Sequence, residues 1–216
     1  MNFKIKILSI LVLLSLNCFA METGSNDEYP AASPKYQKLA SEAQVAAGIP
    51  LEKHYPIKKV NQIRGVVTVP GMIGVNEKDL NKYSYGVQRC QLFHEAIHVK
   101  YDDAQRSWDR CHFKSMEAPL SFEEELEERR LGENRADIEG YNATQCFSCV
   151  NEMAKVGKKG QKKYNIADII ESGYLTSDEI TKIAENLKQQ NKKCTYHSTS
   201  NLKKITSYIS NKLCCK

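Results

Sequence analysis

A chain of 216 residues with 41% hydrophobic residues has material for one ordinary domain plus an appendage, with a modest core. Its formal net charge is +5, and the excess is uneven: Lys155 to Lys216 holds thirteen lysines against five acids. Those lysines recur on helical patterns without interleaved stacking aromatics, so a solvated face is expected and nucleic acid is not an expected partner.

Lys4 and Lys6 precede an apolar run from Ile7 to Leu16, and Cys18-Phe19-Ala20 supplies small residues where a signal peptidase cuts. Residues 1–20 are therefore expected to be a cleaved secretion signal, with an apolar core shorter than the about 20 residues that span a bilayer. Ser15-Leu16-Asn17 is a poor lead-in for a lipid anchor on Cys18. The mature chain, about +3 once two lysines are removed, is expected to be secreted or periplasmic without stable membrane insertion.

Residues 21–60 read as an N-terminal linker and helical segment. Met21 to Pro34 is polar and aperiodic, Lys35 to Ala47 permits a short helix through Leu39, Ala43, Val45 and Ala46, and Gly48-Ile49-Pro50 ends it. His54, in a Tyr-Pro context, is expected at the surface. Residues 61–145 hold the expected core. Val66 to Val69 and Met72 to Val75 read as strands joined by Pro70-Gly71, and a long helix is expected over Lys78 to Tyr101. An edge strand beside that helix could pair with an extended peptide, or be an ordinary sheet edge. Tyr101 to Leu120, with Asp102, Asp103, Cys111 and His112, lacks a clean period and reads as a connecting loop or lid. Ser121 and Glu124 form a capping box opening a helix to Thr144, whose acidic run Glu123 to Glu128 is a solvated face.

Residues 146–216 form a basic, cysteine-containing helical region. Thr176 and Glu179 cap a helix with the stripe Ile180, Ile183, Ala184 and Leu187; Leu202, Ile205, Ile209 and Leu213 form another. The fold class expected from this order is α+β, mainly helical, with a small sheet beside one central helix.

That helix carries His94, Glu95 and His98, spelling HExxH. Histidines four apart lie one turn apart on one face, where both imidazoles can bind one Zn²⁺, and Glu95 can act as base on a water. Catalytic zinc commonly takes three protein ligands. Tyr101 and Ala104 stand where a metzincin would have Gly and His, which excludes that class. Downstream, Glu133 and Asp137 lie at i and i+4 between small residues, suiting a carboxylate ligand and an acid that orients a ligating His.

From Val66 to Asn142 the order of short strand, HExxH helix, connecting segment and ExxAD helix resembles the gluzincin metallopeptidases, particularly the prenyl-protein endopeptidase and bacterial heat-shock group. The resemblance implies that His94, His98 and Glu133 bind zinc, that Glu95 is the general base, and that Asp137 holds a ligating His. This chain lacks the membrane helices of those relatives. An oxyanion donor is also needed, for which Tyr141 and His112 are candidates. The reaction implied is hydrolysis of a peptide or protein substrate; the alternative is a non-catalytic, zinc-binding or disulfide-stabilised binding module.

Seven cysteines remain after leader removal, and secretion favours disulfides. Cys146, Cys149, Cys194 and His197 also have spacing suited to a second, structural zinc, leaving Cys90, Cys111, Cys214 and Cys215. Cys90 lies one turn before His94 and could approach the metal, be a buried thiol, or pair with Cys111. No βαβ pattern surrounds Cys146-Phe147-Ser148-Cys149, so a thioredoxin-like role is not expected.

Overall fold

The computed structural model describes residues 29–111, 120–161, 169 and 172–190. Residues 1–20, expected as a leader, and His112, Cys194, His197, Cys214, Cys215, the stripe from Leu202 to Leu213 and the Cys111 side chain lie outside the described residues. Helix α1 spans Pro34–Ala46, followed by strands β1, Ile57–Lys59, β2, Val66–Val69, and β3, Met72–Val75. Then come α2, Glu77–Leu80, α3, Tyr85–Tyr101, α4, Asp103–Cys111, α5, Phe122–Ala143, α6, Phe147–Gln161, and α7, residues 177–190. The architecture is α+β and mainly helical, with one three-stranded sheet of order β1-β3-β2. No helix among the described residues is long and apolar enough to cross a membrane.

The β-branched run of β2 pairs antiparallel with β3 across Pro70-Gly71, where Gly71 supplies the positive φ of 78° that the turn needs. β1 pairs parallel with β3, a strand too short to declare itself in sequence. Residues 30–32, expected to be linker, instead dock on the outer edge of β1: Lys59 N–H donates to the Pro30 carbonyl and Ala32 N–H to that of Ile57. That satisfies backbone groups which would otherwise be an open edge. Gln44, buried in α1, accepts from Tyr55 N–H at 2.7 Å and donates to the Tyr55 carbonyl, steering the chain into β1. His54 is half-buried with its Nε2 3.0 Å from the Ile49 carbonyl, rather than free at the surface.

The long helix expected from Lys78 is broken at residues 81–84. Ser84 starts α3 by accepting from Val87 N–H, and the buried Gln88 amide bridges the break by donating to the carbonyls of Leu80, which also accepts from Tyr83 N–H, and of Tyr83. Residues 103–111, expected as loop, are helical. A left-handed Asp102, φ 57°, ends α3 and turns the chain directly into α4.

α3 is the central element, with α1, α5, α6 and β2 packed around it. Leu92, Phe93, Ala96 and Ile97 bury fully with Tyr36, Leu39, Ile73 and Leu80, each large side chain contributing about 1.5–3 kcal/mol before entropy. On the opposite side Cys90 packs with Tyr141, Cys149, Val150, Ala154, Ile180, Ala184 and Leu187, which docks α6 and α7. The expected stripe on α7 is thus the buried one. Gly140 lets α5 lie directly against α3, since a Cβ there would stand 2.9 Å from the backbone of His94.

Candidate metal centre

Helical spacing on α3 brings the Nε2 atoms of His94 and His98 to 3.1 Å from each other. α5, held close by Gly140, brings Glu133 Oε2 to 3.2 Å from His94 Nε2 and 3.7 Å from His98 Nε2. All three side chains are largely sheltered from solvent. Glu133 therefore joins both histidines, as the ExxAD spacing predicts.

The other ring nitrogens decide what this cluster can hold. His94 Nδ1 is 2.8 Å from Asp137 Oδ1, and His98 Nδ1 is 2.9 Å from Asp103 Oδ2. An ionised carboxylate only accepts, so each Nδ1 carries the hydrogen and each Nε2 turns a lone pair toward the other. Two lone pairs and a carboxylate oxygen facing one point repel unless a cation lies among them. Glu133 Oε2 is buried with no hydrogen-bond partner among the described residues, which leaves it free to accept a cation. His94, His98 and Glu133 could hold a metal ion, and among the described residues they are the one group of three or more ligating side chains close enough together to do so.

Without a cation, protons must do that work. Burial pulls His98 down, but bonding to Asp103 and Glu133 outweighs it and raises the imidazole to about 9. His94 is raised for the same reason by Asp137 and Glu133 against its burial, and Glu133 is held far below the usual carboxylate range by the two imidazoles despite its own burial. Burial pushes Glu95 up, opposed by the imidazole charges beside it. Glu95 is fixed from the sheet: Thr68 N–H donates to its Oε2 at 2.8 Å, and Thr68 Oγ1 donates to its backbone carbonyl at 3.0 Å. The outer strand β2 thus anchors the glutamate of HExxH.

Other sequence expectations change. Cys90 is a free, buried thiol in the core around Tyr141 and Cys149, pushed up to about 12 by burial; it neither joins the metal group nor pairs with Cys111. Tyr141 is buried with its hydroxyl bonded to Asp137, on the Nδ1 side of His94 and away from the Nε2 atoms and Glu133. Cys146 and Cys149 are joined as a disulfide, which removes two of the three thiolates that a second zinc would need.

Three contributors escaped the sequence reading. Asp103, held by Arg135 at 2.7 and 2.8 Å and by Arg106, orients His98; against its burial, the bond to His98 and then those two cations lower its carboxyl to about 2. Its signal was an acid just past the helix end, five residues after His98. Arg135 also lies 3.8 Å over the Tyr101 ring, tying α5 to the end of α3. Tyr174, from the segment before α7, stacks beside His94 with ring centroids 6.1 Å apart and a hydroxyl bonded to Glu133. Gly173, φ 87°, packs on the Arg130 backbone, and Leu175 N–H donates to Asp137 Oδ2 at 3.0 Å, so Tyr174 is fastened on both sides. No sequence pattern announces that placement.

Comparison with protein-family models, curated proteins and solved structures finds no match for this chain.

Proposed function

We propose that this chain is a zinc-dependent peptidase of the extracytoplasmic space, built on a minimal gluzincin-like arrangement. The observation that carries the reading is the meeting of two imidazole lone pairs and the Glu133 carboxylate, with Glu95 one residue from the first histidine. Two nitrogens and one oxygen suit zinc with a position left for substrate or water. When bound, zinc would supply Lewis-acid polarisation of a scissile carbonyl and acidify a water.

The chain's own residues supply the rest. Asp137 and Asp103 keep both imidazoles in one tautomer and orientation. Glu95, raised by burial, is suited to take a proton from the attacking water and return it to the leaving amine, and Thr68 N–H holds its carboxylate still while it does so. Tyr174 is partly exposed, but its hydroxyl is sheltered beside Glu133 and, with the charges of Glu133 and Glu95, stays protonated, so it is the hydrogen-bond donor suited to the oxyanion. The expected leader at residues 1–20 supports an extracytoplasmic setting.

The test pairs metal content with cleavage of an unstructured protein. Wild type should bind about one zinc per chain, lost in His98→Ala, and Glu95→Gln should keep zinc while losing about 10²–10⁴-fold in kcat. Tyr174→Phe should keep zinc and lose about 10²–10³-fold. A wild-type protein that binds zinc yet cleaves nothing in a diverse peptide library would refute the enzyme reading and leave a binding module.

A further inference from the structure

The Cys146–Cys149 bond lies where the chain passes from α5 into α6, and neither sulfur belongs to the group of His94, His98 and Glu133. Its two sulfurs differ. Cys146 is half-exposed, whereas Cys149 is buried among Cys90, Tyr141 and Val150. Cys146 also caps the helix: its carbonyl accepts from Val150 N–H at 3.1 Å, and its Sγ accepts from Cys149 N–H at 3.3 Å. The Ser148 hydroxyl lies 3.4 Å from the same sulfur. A sulfur in this place sits at the positive end of a fifteen-residue helix, with no acid in the first turn and the Lys188 ammonium over the neighbouring Phe147 ring. These features favour Cys146 as a thiolate.

The bond adds little to holding the chain together. Its partners are three residues apart, so it removes little freedom from the unfolded chain. The surrounding turn has its own ties: Thr144 Oγ1 donates to the Tyr141 carbonyl and accepts from Cys146 N–H, while Arg89 reaches the Thr144 carbonyl. Val150, Ala154 and Leu187 pack in the same cluster as Cys149, and that packing does not depend on the bond between the two sulfurs.

We propose that Cys146 and Cys149 form a reversible thiol–disulfide exchange site whose reaction partner is a dithiol. A partner thiolate attacks Sγ of Cys146, the Cys146–Cys149 bond breaks, and Cys149 leaves with the electron pair and takes up a proton. The partner's second thiolate then attacks the mixed disulfide and releases Cys146 as thiolate. The partner is oxidised by two electrons to its disulfide, and the protein pair is reduced by two. This site is independent of the peptidase reading.

The test uses the full chain without denaturant, equilibrated in oxidised and reduced dithiothreitol and, separately, in glutathione buffers, with alkylation and mass spectrometry of each cysteine. The expected result is full reduction and re-oxidation of the pair with circular dichroism unchanged. In the reduced protein Cys146 should be alkylated at least tenfold faster than Cys149, with a midpoint below the ordinary thiol value of about 8.5. Cys149→Ser should accumulate a mixed disulfide of Cys146 with glutathione, and Cys146→Ser should leave Cys149 unreactive. A bond that resists dithiothreitol until the chain unfolds, or a Cys146 thiol titrating at or above the ordinary value, would overturn the proposal and leave a static cross-link.

Discussion

Gly140→Ala tests how closely the two ligand-bearing helices must approach. In a solvent-exposed helix this change stabilises by about 1 kcal/mol, because alanine restricts the unfolded backbone and favours helix. Here the added Cβ would meet His94 Cα and N at 2.9 Å and the Phe93 carbonyl carbon at 3.0 Å, all backbone atoms of α3 that cannot rotate aside. Restoring ordinary carbon contact needs about 0.6 Å of helix separation, and such overpacking costs about 1–3 kcal/mol net of small gains. For a domain of this size that is a fall of roughly 2–12 °C in melting temperature. The same displacement acts two turns from Glu133, so zinc affinity should fall about 10- to 100-fold, as when the support of a ligand is lost. Gly157→Ala is the control: its nearest neighbour is Ser177 Cβ at 3.6 Å, an ordinary contact, so it should keep the helix-propensity gain. Thermal unfolding and a competitive zinc titration read both variants. Equal or greater stability in Gly140→Ala, with unchanged zinc affinity, would refute the close-packing argument.

Asp103→Ala, which removes the acceptor of His98 Nδ1 and the partner of Arg135, should lower zinc affinity about 10- to 100-fold in the same titration; an unchanged affinity would show that Asp103 does not orient the ring. With metal chelated, His98 binds its proton more tightly folded (about 9) than unfolded (6.5), so that stabilisation is complete below about pH 6.5 and lost as pH rises through 9. Melting temperature of the chelated protein should therefore decline over that window, and a flat profile would contradict the pairing with Asp103 and Glu133. Leu187→Ala, at a side chain 1% exposed between α6 and α7, should destabilise by about 2–5 kcal/mol in denaturant unfolding; a loss under 1 kcal/mol would mean that α7 is only loosely docked.

The features legible in the sequence are those governed by short spacing. HExxH and ExxAD each depend on one helical turn, and the capping boxes at Ser121 and Thr176 on three residues, so those helices and Glu133 followed from local rules. Pieces set by chain reversal did not. Asp103 reaches His98 only because Asp102 adopts a left-handed conformation that no motif demands of an aspartate. Ser84 was a hidden boundary because Val87, in place of a glutamate, stands where a capping box would be completed. β1 has three residues, two of them lysines, and exists because β3 and the chain at residues 30–32 flank it. α6 went unread behind its cysteines, although Val150 and Ala154 lie one turn apart on its buried face. Tyr174 depends on Gly173 and Leu175 meeting a helix about forty residues earlier, which is tertiary information alone.

The Asp137 carboxylate gathers strands of chain that are remote in order of synthesis: one oxygen takes His94, 43 positions upstream, and the other the amide of Leu175, 38 positions downstream. Closing both loops requires most of the described fold to be in place. A nascent or clipped chain ending before Leu175 would carry His94, His98, Glu133 and the His94–Asp137 pair without the amide that holds the second oxygen of Asp137 in place.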